Sequence, residues 1–188
     1  MLAFLIEVVT GKPYADAMRE LLFEPLGMAR TTFSPAVALT YPCALSHRLN
    51  KKGELEVEHH YAENVANYAS GQAISNVLDL ARFAMLHMHE GRIGRKRLLK
   101  KGSVAEMHRP HVERGTEQGG YGLTFGVREY KGLTRVGHGG AIANFGATFS
   151  MAMQRRTAVI TLFNRLPGNP SMGQLADRIL DAVLELPA

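Results

Sequence analysis

Apolar residues at Leu2, Leu5, Ile6 and Val9 recur with helical spacing, and Gly11 is placed to stop that helix in a left-handed cap. Pro13 suits the first turn of a second helix with Tyr14, Met18, Leu21 and Leu22 as its stripe; the spacing predicts an end before Pro25. Residues 31–70 are mixed and punctuated by Pro35, Pro42 and Gly53, with short strands read at 45–49 and 54–60 around a turn at Asn50-Lys51-Lys52-Gly53. Ser75 is the expected cap of a third helix that buries Val77, Leu80, Ala81, Ala84 and Met88 and stops at Gly91. Ser103 is the expected cap of a short fourth helix, ended by Pro110.

From Tyr121 the period changes. Residues 121–130, 133–140, 145–153 and 157–164 read as four strands joined by short turns, an antiparallel meander. In the last of them Ala158, Ile160 and Leu162 share one face, and Val159 and Phe163 share the other. Both faces are apolar, so both should be covered, most simply by helices. Neither residue of Arg155-Arg156 favours positive φ, so a loop longer than two residues is expected there. A last helix runs from about residue 171 to 186, with Leu175, Ile179, Ala182 and Val183 facing inward. The fold class is α+β, an antiparallel sheet flanked by helices. Residues 1–188 are expected to form one domain, with 1–110 mainly helical and 121–188 holding the strands and the last helix.

Composition narrows the partners. The length of 188 residues suits one domain. Lys and Arg number 22 against 17 Asp and Glu, and much of the surplus sits in residues 91–101. No aromatics interleave that run, which reads as a solvated loop and helix start, so no nucleic-acid partner is expected. The nine methionines read as core filling. Cys43 is the single cysteine, which rules out an internal disulfide and leaves the compartment unknown. The apolar start is interrupted by Glu7 and lacks a basic leader and a small-residue cleavage site, so it does not read as a signal peptide. No run approaches the ~20 apolar residues of a membrane span.

Histidines were weighed as ligands. His87 and His89 are two apart on a helix and point to different faces, His59 and His60 diverge on a strand, and His108 and His111 flank Pro110 without an evident carboxylate. No metal or cofactor is expected. On spacing alone, His138-Gly139-Gly140 reads as a strand-end histidine beside a glycine bulge.

Ordered segments change that reading. Val9-Thr10-Gly11-Lys12-Pro13-Tyr14, Phe23-Glu24-Pro25-Leu26-Gly27-Met28 with Thr31-Thr32-Phe33, Ala69-Ser70-Gly71-Gln72-Ala73-Ile74-Ser75 with Asp79-Leu80-Ala81-Arg82-Phe83, Tyr121-Gly122-Leu123 and His138-Gly139-Gly140 follow one another in the chain. Together they resemble the β-lactamase-related serine hydrolases: class C β-lactamases, D-alanyl-D-alanine carboxypeptidases and family VIII esterases. His138-Gly139-Gly140 stands where relatives have His-x-Gly or Lys-Thr-Gly. The resemblance implies a β-lactamase/transpeptidase-like fold and acyl transfer on a small ester or amide, with a serine as nucleophile.

It also implies that His138 meets the substrate or tunes a proton relay, that Gly139 and Gly140 admit the substrate to the strand edge, and that the Ala141 amide donates to the oxyanion. Two family motifs, Ser-x-x-Lys and Tyr-x-Asn, have no counterpart here. The expectation is therefore a C-terminal portion of such a domain that lacks its N-terminal part, has no nucleophile of its own and is inactive alone. The alternative is a non-catalytic binding module that uses the cleft around His138. An exposed sheet edge and the apolar face of the last helix would favour a homo-oligomer.

Overall fold

The computed structural model describes residues 1–59, 67–113, 119–166 and 168–187. They form two compact units. The first comprises Met1–Arg82, Ala141–Gly146 and Phe163–Leu166; the second comprises Phe83–Gly140, Ala147–Leu162 and Pro167–Ala188.

In the first unit, α1 (Leu2–Thr10) stops at Gly11, whose φ of 67° and amide bond to the Glu7 carbonyl make the expected left-handed cap. The second helix does not end before Pro25. α2 (Tyr14–Met18) runs into a π-turn (Arg19–Phe23) and then α3 (Glu24–Leu26), and the path stops at Gly27, φ 70°. The wider π-turn spreads the backbone ahead of Pro25, and a first-turn position needs no N–H from it. α4 (Pro35–Ala38) is capped by Ser34. Phe33 gathers the rings of Tyr14, Phe23 and Tyr68 at 5.2, 5.8 and 5.5 Å.

β1 (Ser46–Leu49) and β2 (Leu55–Glu58) pair antiparallel around the expected turn, where Asn50 Oδ1 accepts from the amides of Lys52 and Glu54. The expected second strand ran on to His60, which lies outside the described residues. After α5 (Tyr68–Gly71), the cap of α6 (Val77–Met88) is Asn76 rather than Ser75. Asn76 Oδ1 accepts from the amides of Leu78 and Asp79, while the Ser75 hydroxyl pairs with Thr31 at 2.8 Å. Val77 is exposed; Asp79 is buried instead, because the Arg30 amide and the Thr31 hydroxyl, both at 2.9 Å, satisfy its carboxylate.

In the second unit, β3 (Arg92–Ile93) and β4 (Lys96–Arg97) form a small hairpin that leads into α7 (Lys101–His108). Lys100 occupies the cap position of α7, and Ser103 lies inside the helix. β5 (Val112–Glu113), β6 (Gly120–Tyr121), β7 (Gly126–Tyr130), β8 (Leu133–Ile142), β9 (Phe145–Ala152) and β10 (Thr157–Phe163) line up in sequence order in one six-stranded sheet, antiparallel from β5 to β8. The meander is as expected, with one difference: the strand read at 121–130 is two strands. The Gly122 amide bonds to the Phe125 carbonyl and Thr124 takes φ 72°, which makes a turn between them. Between β9 and β10 a 3-10 turn (Met153–Arg155) makes the expected longer connection, but Arg156 does take a positive φ, 46°, contrary to the expectation for either arginine.

Both faces of this sheet are covered. Val127, Val136, Met151, Ala158 and Ile160 pack with Phe83 and Ala84 of α6. Leu133, Ala152 and Val159 pack with Ala176 and Leu180 of α8 (Met172–Leu184). The inward stripe of α8 is therefore Ala176, Ile179, Leu180 and Leu184, and Ala182 and Val183 are exposed. A capping box between Ser171 and Gln174 starts this helix.

Arg135 is 5% exposed and pairs with Asp177 of α8, which also takes Arg128 at 2.8 Å. A buried pair is costly to break on one side only. Asp177→Ala is expected to destabilise the fold by about 3–5 kcal/mol in urea denaturation, and the apolar double variant Arg135→Met/Asp177→Leu to recover most of that loss.

His87 is 1% exposed, between the rings of Phe83 and Phe125, and its Nδ1 hydrogen-bonds His108 Nε2 at 3.1 Å. The pair is 21 positions apart in sequence and was not foreseen. Burial, with His108 beside it, pulls His87 down from 6.5 to about 4, and burial lowers His108 as well. The folded chain thus holds neutral imidazoles that the unfolded chain protonates near 6.5, and their stabilisation is complete above that pH and lost as pH falls toward 4. Denaturation midpoints measured from pH 7 to pH 4 should fall, by the equivalent of about 3 kcal/mol from His87 alone, with His87→Phe flattening most of the slope.

Candidate active site

β8 carries every residue that the sequence nominates: His138, Gly139, Gly140 and Ala141. Its first half is held on both faces, by Leu133 in one core and Val136 in the other. The β7–β8 ladder ends at Gly126↔Gly137, so residues 138–142 project beyond their β7 partner. All four nominated residues are exposed. The strand continues unbroken to Ile142, so His138 lies within it rather than at its end.

Alternation decides where the side chains go. Val136 and His138 lie on the α6 face, and Arg135, Gly137 and Gly139 on the α8 face. The Tyr121 ring on β6 stands edge-on to the His138 imidazole, with centroids 6.4 Å apart. In the sequence Tyr121 marks only the opening of the strand region. Its neighbouring role becomes visible once β6, β7 and β8 are known to be adjacent. A groove of about 380 Å³ lies between β7–β9 and the start of α8, lined by Gly137, Gly139, Ser150 and Gly173 among others, and one edge of it touches His138.

The glycines have different jobs. A Cβ on Gly137 would sit 2.3 Å from the Phe149 carbonyl oxygen, so Gly137 is bare because β9 lies against it. A Cβ on Gly140 would meet nothing within 4 Å. The protein's own packing therefore does not require glycine at position 140, and the space beside it stays open.

Among the described residues the hydroxyl of the buried Ser46 has no hydrogen-bond partner. Ser34 and Ser171 cap helices, Ser70 donates to the Asn67 carbonyl, Ser75 pairs with Thr31, and Ser150 accepts from Arg135. None of these bonds joins a serine to a lysine, a tyrosine or an imidazole, the arrangement an activated hydroxyl needs. Among the described residues no cluster of three His, Cys, Asp or Glu side chains could hold a metal, and no helix is long and apolar enough to cross a membrane. His111, read from sequence as lacking a carboxylate, has Glu106 at 3.4 Å.

Comparison with known proteins gives this geometry a context. A curated relative, penicillin-binding protein 4 of Amycolatopsis lactamdurans, is 27% identical over 75% of this chain and 39% of its own length. The unguisins hydrolase of Aspergillus campestris is 26% identical over 95% of this chain and 35% of its own. The chain thus spans under two fifths of the length of these relatives. The octameric penicillin-binding protein homologue from Pyrococcus abyssi superposes with a TM-score of 0.80 at 22% identity, over 96% of this chain and 40% of that one. The D-amino acid amidase from Ochrobactrum anthropi, complexed with L-phenylalanine amide, gives 0.75 at 22% identity, over 97% and 54%. These structures share the α+β fold, with its antiparallel sheet and flanking helices. Since the model of the beta-lactamase family matches residues 1–184, this chain belongs to the beta-lactamase family of serine hydrolases.

Proposed function

We propose that this chain supplies one wall of an acyl-transfer site for a small ester or amide and, lacking Ser-x-x-Lys and Tyr-x-Asn, does not turn over substrate by itself. The observation that carries the reading is the exposed overhang of β8 at 138–141 with open space beside Gly140. An extended acyl group can lie along the β7-side edge of this overhang, and bare glycines let its backbone come close. The Ala141 amide is the donor aimed at the developing oxyanion, a contact worth about 3–4 kcal/mol in a complete site. The His138 imidazole, edged by Tyr121, contacts the leaving group or passes its proton at neutral pH. The nucleophile and its base are the parts the chain does not contain, and without them only residual catalysis remains. The amidase and hydrolase named among its relatives support an amide or ester as the bond class.

Self-association belongs to the same reading. Leu2, Phe4, Val8 and Val9 of α1 are 71, 68, 63 and 76% exposed, a contiguous apolar surface of the kind that marks protein contacts. The octameric archaeal relative supports an assembly of copies.

The site reading is tested by hydrolysis assays with a chromogenic β-lactam and p-nitrophenyl esters, where the purified chain is expected to give no rate above background. In the same preparation, Gly140→Val should change stability by less than about 0.5 kcal/mol and abolish any melting shift produced by a non-hydrolysed D-amino acid amide. Gly137→Ala should destabilise the fold, because its methyl meets β9. Turnover by the wild-type chain, or an unchanged ligand shift in Gly140→Val, contradicts the proposal. Size-exclusion chromatography is expected to give a species larger than the monomer, reduced by Phe4→Ser/Val8→Ser; a clean monomer at high concentration contradicts the assembly reading.

A further inference from the structure

We propose that the β3–β4 hairpin and the start of α7 form a docking surface for an anionic lipid bilayer. Six of the 22 cations of the chain, Arg92, Arg95, Lys96, Arg97, Lys100 and Lys101, fall between residues 91 and 101 with no acid among them. The remaining 16 face 17 acids, so the positive charge of the whole molecule is concentrated in this one feature. All six side chains belong to exposed residues.

The hairpin is rigidly held. The Leu98 and Leu99 amides both donate to the Gly91 carbonyl, at 2.8 and 3.1 Å, and Arg97 Nη1 donates to the Glu90 and Leu99 carbonyls at 2.7 and 3.1 Å. Lys101 pairs with Glu90 at 2.8 Å. Among the described residues Arg92, Arg95, Lys96 and Lys100 have no acidic partner.

One detail points outward. Arg92 stands directly across from Arg97 in the strand register, and like charges in that position cost stability. Two residues on each strand keep all these cations within about one Debye length, ~10 Å at moderate salt, so they repel one another unless an anionic surface neutralises them together. No aromatic ring lies in the segment to stack a nucleobase, and a short flat hairpin is not shaped to enter a duplex groove. Arg92 and Arg97 share one face of the hairpin and Lys96 lies on the other, so a planar array of anionic headgroups meets them along the hairpin's edge and tip, with no apolar insertion. This surface is independent of the strand that carries His138.

The test is sedimentation of the full chain with vesicles of phosphatidylcholine containing phosphatidylglycerol, beside vesicles of phosphatidylcholine alone and a 20-base-pair DNA duplex. Binding is expected to the anionic vesicles only and to fade between 50 and 500 mM salt. It should weaken about a hundredfold in Arg95→Ala/Lys96→Ala/Lys100→Ala, whose melting curve stays unchanged. Lys51→Ala/Lys52→Ala, on the exposed turn between β1 and β2, should weaken it far less. No binding, equal binding to neutral vesicles, an equal loss in the Lys51/Lys52 variant, or binding to the duplex in place of the vesicles each overturns the proposal.

Discussion

Leu133 and Val136 are three positions apart on β8, yet each is buried in a different core, one against α8 and the other against α6. That double burial sets the register of the strand. A slip of one residue would turn both side chains, and every neighbour, to the wrong face. Arg135 reinforces it between them, buried and paired with Asp177 of α8. Because the first half of β8 is held on both faces, its second half is delivered past the end of β7, with His138 exposed and Gly140 open. The proposed chemistry rests on this one arrangement: a strand anchored at one end that runs past its β7 partner at the other.

On the proposed reading, the same arrangement supplies a wall and not a whole site. Positioning an oxyanion donor needs only a strand edge at the right angle. Activating a serine needs a second group within hydrogen-bond reach of its hydroxyl. Ser34 and Ser171 spend their hydroxyls on caps, Ser75 on a threonine, Ser70 on a carbonyl and Ser150 on a buried arginine, while the hydroxyl of the buried Ser46 has no hydrogen-bond partner among the described residues. Membership of the beta-lactamase family therefore identifies the fold and the reaction class of its relatives, while the chemistry of this chain follows from the residues it carries.

Much of this was legible in the residues. Alternation of apolar and polar positions located β8, β9 and β10, and two apolar faces on β10 implied helices on both sides, which α6 and α8 provide. Gly11 and the Asn50 turn were local signals with local outcomes. The misses share a cause: each depended on a neighbour distant in sequence or on a rarer backbone form. Pro25 sits inside a helical path because a π-turn precedes it, and no spacing rule signals that turn. Ser75 gave up the cap to Asn76 because Thr31, 44 positions away, engages it. The inward side of α8 was set by where the sheet lies, so Ala176 and Leu180 are buried in place of Ala182 and Val183. At the site, the position of His138 on its strand was readable. The contact with Tyr121 and the division of labour between Gly137 and Gly140 required the sheet.

Intact-mass spectrometry after prolonged incubation with an acylating β-lactam or a fluorophosphonate tests the central claim most directly. A strand wall without an activated hydroxyl predicts that the chain keeps its unmodified mass under conditions that fully label a complete relative. A stoichiometric adduct of one inhibitor per chain, mapped to any serine, would contradict it.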